Sequence, residues 1–370
     1  MKILCVIDNL GAGGAQRQMV ELALGFKEKG CEVEFLTYYY RAFYNSVLER
    51  EAINIICIQE PNYIKRIFRM RRLIRKGRYN AVLSFLEASN FICQFAGLPN
   101  RKWSLVVGER SANPEILHSF RRMIYRWFHL LADYVVANSH TNMEYVKRIN
   151  TLLPQAKCRV VYNMVDFDVF SPYLQSNSHS NGTFKLVVPA RIRTEKNIKR
   201  LIEALLLLNP QERQKLKIYW YGLYRNEEQT NELLREALVL IKKSHLESTL
   251  SFHEATHEIN TVMLEADAVG LFSTYEGFPN AICEAMACAK PVICSNVSDM
   301  KSFLAHSPKL VCDPMSPDSI KESLIHLINM DKSELDALGK QNRTIAIQNF
   351  DKSDIVSNYL QLLGAEVERC

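Results

Sequence analysis

Residues 273–295, STYEGFPNAICEAMACAKPVICS, hold two carboxylates that could do chemistry, Glu276 and Glu284, with seven residues between them. Glu276 stands where the apolar run ADAVGLFS ends, and Glu284 falls in a segment with helical spacing. Ala281, Ile282, Ala285, Met286 and Ala289 line one apolar face at a period of 3.6, and Glu284 flanks that face. A carboxylate so placed can accept hydrogen bonds from a pair of sugar hydroxyls. Gly277 permits an unusual turn, and Pro279 suits the first turn of a helix. Backbone N–H groups in the turn Gly277, Phe278, Pro279, Asn280 can bind an anion or a hydroxyl. A plainer reading has Glu276 capping the helix and Glu284 facing water.

Three other stretches place chemistry just after a strand. In PARIRTEKNIKRLIEAL, residues 189–205, Arg191 follows a strand and Lys196 precedes a helix whose packing stripe is Ile198, Leu201, Ile202 and Leu205. Two cations and a helix N-terminus suit a diphosphate, although a solvated loop would hold them equally well. In GAGGAQ, residues 11–16, Gly11, Gly13 and Gly14 separate a strand from a helix. Glycines there let a ligand approach the backbone, or serve only a tight turn. The third glycine of a dinucleotide fingerprint is missing, and FLTYYY offers no acid for a ribose hydroxyl, so no NAD site is read. In VVGERSANPE, residues 106–115, Glu109 and Arg110 end a further strand.

These positions require alternating strands and helices, and the chain has them throughout. KILCVID, EVEFLTYY, AVLSFL, WSLVVGE, YVVANS and RVVYN read as strands of a first α/β domain, residues 1–170. The helix AQRQMVELALGFKEKG stops at Gly30. The polar segment 171–183, SPYLQSNSHSNGT, reads as a linker. The pattern restarts in a second domain, 184–345, with strands FKLVVPA, LKIYWYG, ADAVGLFS and PVICS. The expected fold is two Rossmann-like, doubly wound α/β domains, with ligands in the cleft outside the carboxyl ends of the strands.

Of 370 residues, 48% are hydrophobic and 23% charged, a globular composition. The opening MKILCVIDNL has no basic leader or cleavage site, and no run is apolar enough to span a bilayer, so neither a signal peptide nor a spanning helix is expected. None of the ten cysteines forms a Cys-x-x-Cys pair; they read as reduced thiols in the cytosol. Residues 1–165 carry 24 Lys and Arg against 13 Asp and Glu, whereas the remainder is net acidic. The stretch 63–79, YIKRIFRMRRLIRKGRY, has eight basic residues and no acid; Ile64, Ile67, Phe68, Met70, Leu73 and Ile74 give it a broad apolar side. The stretch 120–134 adds Arg121, Arg122 and Arg126 beside Trp127 and Phe128. Basic amphipathic helices of this kind suit an anionic membrane surface, or else dock on their own sheet. No nucleic-acid-binding signature accompanies the charge.

Taken together, GAGGAQRQMVELA, ADYVVANSHTNMEYV, VVYNMVDFDVFSP, PARIRTEKNIKRLIEAL and the stretch from Ser273 resemble the retaining glycosyltransferases of family 4, which have the GT-B fold. The resemblance runs over nearly the whole chain, and the pair Glu276 and Glu284 is its most specific part. It implies a nucleotide-sugar donor, with UDP-hexose or UDP-N-acetylhexosamine favoured over GDP-mannose, and no cofactor or metal. It implies that Arg191 and Lys196 hold the diphosphate and that Glu284 grips the ribose. Glu276 would contact the donor sugar, helped by Gly277, Phe278, Pro279 and Asn280, and Gly13 and Gly14 would approach the phosphates from the other domain. Closure of the cleft would exclude water. Many relatives carry a His just after this strand, where this chain has Glu109 or Arg110; of the two, Glu109 takes the catalytic assignment by position. Relatives often continue with Gly after the strand LSF, where this chain has His253 and Glu254. The C-terminal helix, within 346–370, is expected to return to the first domain. The acceptor implied is a lipid-linked saccharide in O-antigen or capsule assembly, at the inner face of the cytoplasmic membrane. The rivals are a sugar-nucleotide epimerase or a phosphorylase on the same fold, and a non-catalytic docking subunit of a glycan-assembly complex, against which intact Arg191, Lys196, Glu276 and Glu284 argue.

Overall fold

The computed structural model describes residues 1–172, 182–223 and 228–365; most of the segment expected as a linker, 171–183, lies outside them. The chain divides into two compact units, Met1–Met164 with Lys352–Cys370, and Val165–Asp351.

The first unit is built on seven strands: β1 (Lys2–Val6), β2 (Glu32–Thr37), β3 (Asn54–Cys57), β4 (Ala81–Phe85), β5 (Ser104–Glu109), β6 (Tyr134–Ala137) and β7 (Cys158–Val160). All pair in parallel, in the order β3-β2-β1-β4-β5-β6-β7. Such strands are buried on both faces and read as continuous apolar runs. Along β1, Ile3 and Cys5 pack into one core with the helices Gly14–Glu28 and Lys352–Leu362, while Leu4 and Val6 face a second core under the helices Tyr63–Lys76 and Glu87–Ala96. The C-terminal helix contributes Ile355, Val356, Tyr359 and Leu360 to the first of these cores.

The second unit repeats the plan with β8 (Phe184–Pro189), β9 (Leu216–Leu223), β10 (Leu250–Glu254), β11 (Ala268–Leu271), β12 (Val292–Ser295) and β13 (Val311–Cys312). Its order is β10-β9-β8-β11-β12-β13, again all parallel. In each sheet the first three strands run outward one way and the rest the other. The reversal falls between β1 and β4 in one sheet and between β8 and β11 in the other. At such a switch point the loops diverge and leave a crevice for a ligand.

The basic stretches differ from expectation in how much of their charge is spent inward. In the helix Tyr63–Lys76 the buried face is Arg66, Ile67, Met70 and Ile74, whereas Ile64 and Phe68 are exposed. Arg71 donates to the Leu98 carbonyl, and Arg75 to those of Ala96, Leu98 and Asn100, where they satisfy the C-terminal end of the neighbouring helix. Arg126, expected on a basic face, is fully buried among acids.

Candidate active site

In the second unit, the loops after β8 and β11 flank the switch point and are stitched together. Thr274 N donates to the Glu195 carbonyl at 2.8 Å. Asn197, between the turn Thr194–Lys196 and the helix Ile198–Leu206, takes a left-handed conformation with φ 65°. Its side-chain amide donates to the carbonyls of Phe272 (2.9 Å) and Pro314 (2.8 Å), which ties the first loop to the end of β11. The carbonyl of Ala190, just before Arg191, accepts from Trp220 Nε1 at 2.6 Å. Gly222, with φ 148°, lies so close that a Cβ there would sit 2.0 Å from the same carbonyl oxygen.

This frame brings Lys196 and Glu276 into contact. Lys196 Nζ lies 2.5 Å from Glu276 Oε1, and Ser273 Oγ donates to that oxygen at 2.6 Å. Among the described residues nothing bonds Oε2, so one carboxylate oxygen is anchored and the other remains to accept from a ligand. Both side chains are largely but not wholly buried. Arg191 stands half-buried at the end of β8.

The plainer reading of the two acids does not hold. The helix Asn280–Ala287 has Pro279 as its N-cap residue, no side-chain cap and no acid in its first turn, so Glu276 is not its cap. Glu284 is buried, not solvent-facing. The Gly277 carbonyl accepts from Ser298 Oγ at 3.1 Å, and Phe278 packs edge-to-face on Phe350, which fixes the turn before the helix. His253, near the end of β10, stacks on Tyr221 with centroids 4.8 Å apart; burial pushes its pKa down.

In the first unit, the glycine turn follows β1. None of Gly11, Gly13 and Gly14 has a positive φ, and Gly13 is extended at φ −142°, so the turn itself does not demand glycine. Gly13 caps the helix Gly14–Glu28 without a side chain, and no acid occupies the first turn. Asp8, which sequence reasoning missed although it ends an apolar strand, accepts from Asn9 N (2.7 Å) and Gln16 Nε2 (3.0 Å) and so organises the turn. Burial raises its pKa against those hydrogen bonds.

Glu109, at the end of β5, is 2% exposed and fully engaged. Oε2 meets Arg126 Nη2 at 2.6 Å and Oε1 meets His129 Nε2 at 3.0 Å. Arg126 also pairs with Glu87 at 3.0 Å, and Gln94 holds His129 Nδ1 at 2.8 Å. Burial pushes the Glu109 carboxyl up, but Arg126 and His129 outweigh it and hold the pKa at about 2. Next to it, Arg110 lies over the Phe85 ring at 3.7 Å and bonds Asn163 Oδ1 (2.8 Å) and the Tyr359 hydroxyl. Sequence reasoning had no means to see this cluster, because Glu109 ends β5, Glu87 and Gln94 lie on the helix Glu87–Ala96, and Arg126 and His129 come from a third segment. Among the described residues, no group of three or more His, Cys, Asp or Glu could hold a metal ion.

Two parallel, doubly wound sheets of this order, with a cation–carboxylate pair at the switch point of the second, have the plan of the GT-B class. The sequence matches the family Glycosyltransferase Family 4 over residues 12–169 and the family Glycosyl transferases group 1 over 171–344. The chain is a GT-B-fold glycosyltransferase related to family 4. Among curated proteins it is similar to the N-acetylgalactosamine-N,N'-diacetylbacillosaminyl-diphospho-undecaprenol 4-alpha-N-acetylgalactosaminyltransferase of Campylobacter jejuni, 24% identical over 80% of each chain. From the same organism, the GalNAc-alpha-(1->4)-GalNAc-alpha-(1->3)-diNAcBac-PP-undecaprenol alpha-1,4-N-acetyl-D-galactosaminyltransferase is 23% identical over 77% of each. Among solved structures, Anabaena HepE in complex with UDP and glucose superposes with a TM-score of 0.80 at 19% identity, over 98% of this chain and 99% of that one.

Proposed function

We propose that the chain transfers a hexose or N-acetylhexosamine, with retention of configuration, from a UDP-activated donor to a lipid-linked saccharide during assembly of a surface polysaccharide. The observation that carries this is the Lys196–Glu276 pair, anchored at one carboxylate oxygen and placed at the switch point of the second sheet. Arg191 and Lys196 bind the diphosphate, Glu284 the ribose, and Glu276 Oε2 a hydroxyl of the donor sugar, oriented by the turn from Gly277 to Asn280. Gly13 and Gly14 supply backbone N–H groups to the phosphates. The bond from the anomeric carbon to the diphosphate oxygen breaks through an oxocarbenium-like state. The acceptor oxygen bonds that carbon on the same face, and its proton passes to the departing diphosphate. Cations on the leaving group lower this barrier electrostatically.

Glu109 acts in this scheme through position, not contact, since both its oxygens are engaged and it is buried; it holds the strand end that carries Arg110. The acceptor class is supported by the two Campylobacter relatives, whose names specify undecaprenol-linked saccharides. The protein works as a peripheral membrane enzyme on the cytoplasmic side. Among the described residues no helix is long and apolar enough to cross a membrane. Exposed Ile64, Phe68, Phe120 and Trp127 lie beside exposed Lys65, Arg72, Lys76 and Arg121, a mixture that suits an anionic bilayer.

Thermal shift against UDP, GDP and their sugars tests the donor, because a ligand that binds the folded state raises its stability. Selective stabilisation by UDP is the expected result. Preference for GDP would replace the donor by GDP-mannose, and no shift with any nucleotide would favour the docking subunit.

A further inference from the structure

The loop that follows β2, Tyr38 to Tyr44, is used by none of the roles above, yet it stands beside the glycine turn. Tyr38 N and Tyr39 N both donate to the Asp8 carbonyl, at 3.1 and 2.8 Å, and Tyr44 N donates to that of Leu10 at 3.1 Å. A Cβ built at Gly11 would lie 2.8 Å from Asn9 Oδ1 and 3.0 Å from Arg41 Cδ, so Arg41 packs against the turn. The loop is therefore fixed to the carboxyl edge of the sheet, next to the switch point. It leaves three large rings in solvent: Tyr39 is 51% exposed, Tyr40 67% and Phe43 53%.

Beneath one of them, Tyr39, lies an unusual support. Arg66 is 6% exposed, and its guanidinium stands 4.7 Å from the Tyr38 ring, 5.1 Å from Tyr39 and 5.2 Å from Tyr63. Its Nε is buried without a hydrogen-bond partner. Tyr63 is held in turn by a hydroxyl contact to Tyr125 at 2.9 Å. A cation stacked on several rings stiffens them. Rigid aromatic rings bearing hydroxyls give much contact area at little entropic cost.

We propose that Tyr39, Tyr40 and Phe43 form a stacking platform for a sugar ring of the acceptor saccharide. The inference rests on the glycosyltransferase reading and names a binding surface for its acceptor. A pyranose has a face of C–H groups and a rim of hydroxyls; the rings meet the first, and the tyrosine hydroxyls and Arg41 meet the second. A lipid surface is the poorer occupant, because Arg41 interrupts the apolar side chains and the loop is tied to the edge where the sheet receives ligands.

Saturation-transfer NMR on the full chain with UDP present tests this, using N-acetylgalactosamine, N-acetylglucosamine, glucose, galactose and N,N'-diacetylchitobiose as probes. At least one should take up saturation on its ring C–H protons. The double variant Tyr39→Ala/Tyr40→Ala should weaken that binding by roughly tenfold or more, the scale of one or two aromatic contacts. Tyr39→Phe/Tyr40→Phe should retain most of it. The thermal shift with UDP and co-sedimentation with phosphatidylglycerol vesicles should be unchanged in both. The proposal is overturned if no probe binds through its ring face, if the alanine variant binds as the parent does, or if vesicle binding falls in place of sugar binding. Loss of the UDP shift in the parent protein would instead remove the enzymatic reading on which the platform depends.

Discussion

Glu276 is held through one carboxylate oxygen, by Lys196 and Ser273. Glu276→Ala should lower transfer by about 10²–10³-fold, the size of one lost electrostatic contact in a transition state, while the melting temperature changes little. Retained activity in that variant would remove Glu276 from the site. Glu109 has the opposite signature. Glu109→Gln leaves Arg126 and His129 buried with less compensation and should cost on the order of 3 kcal/mol in chemical denaturation. Its pKa is about 2 against an ordinary 4.5, so its contribution is complete above about 4.5 and is lost as the pH falls from there towards 2. The variant should therefore lose less stability than the parent over that acid window, and parallel acid titrations would show it. The placement of these residues was legible: Arg191 and Glu276 come just after apolar strands, Lys196 just before a helix, and Glu284 within one. The environment of Glu109 was not, because burial and long-range pairing leave no trace in local spacing.

Two backbone positions near the strand ends depart from ordinary geometry, Asn197 at φ 65° and Gly222 at φ 148°. Gly222→Ala would force a Cβ onto the Ala190 carbonyl at a φ that side chains avoid. It should cost on the order of 3 kcal/mol, and it should also displace Arg191, so that nucleotide affinity falls with stability. Equal affinity in a destabilised variant would mean that the strand end does not position Arg191. The strands themselves were readable wherever apolar runs were long, as in KILCVID and LKIYWYG. The two-residue β13 gave no periodic signal. The helix Tyr63–Lys76 was readable as basic and amphipathic, but its face was not. Arg66 lies inward on aromatic rings, a choice that depends on Tyr38 and Tyr39 arriving from another element.

Over the whole molecule, the formal charge of +6 is distributed so that residues 1–165 are strongly basic. Replacing Lys65, Arg72 and Lys76 by Gln removes exposed charge that no side-chain hydrogen bond among the described residues uses. At about 1 kcal/mol each, the triple variant should bind anionic vesicles roughly a hundredfold more weakly at low salt. The difference should shrink as salt is raised. Unchanged sedimentation would place the membrane contact elsewhere. The repeated α/β plan was legible from the alternation of strands and helices. That the last helix completes the first core was legible only through resemblance, since its sequence looks like any amphipathic segment. This closing helix sets an order of events during synthesis. Ile355, Val356, Tyr359 and Leu360 leave the ribosome after the second unit, so the first core stays open while that unit is translated. At roughly 5–20 residues per second, that interval lasts on the order of ten seconds or more. During it the nascent chain exposes the apolar groove that the helix will fill, and a ribosome that stops short of Lys352 releases a protein with one finished unit and one that cannot close.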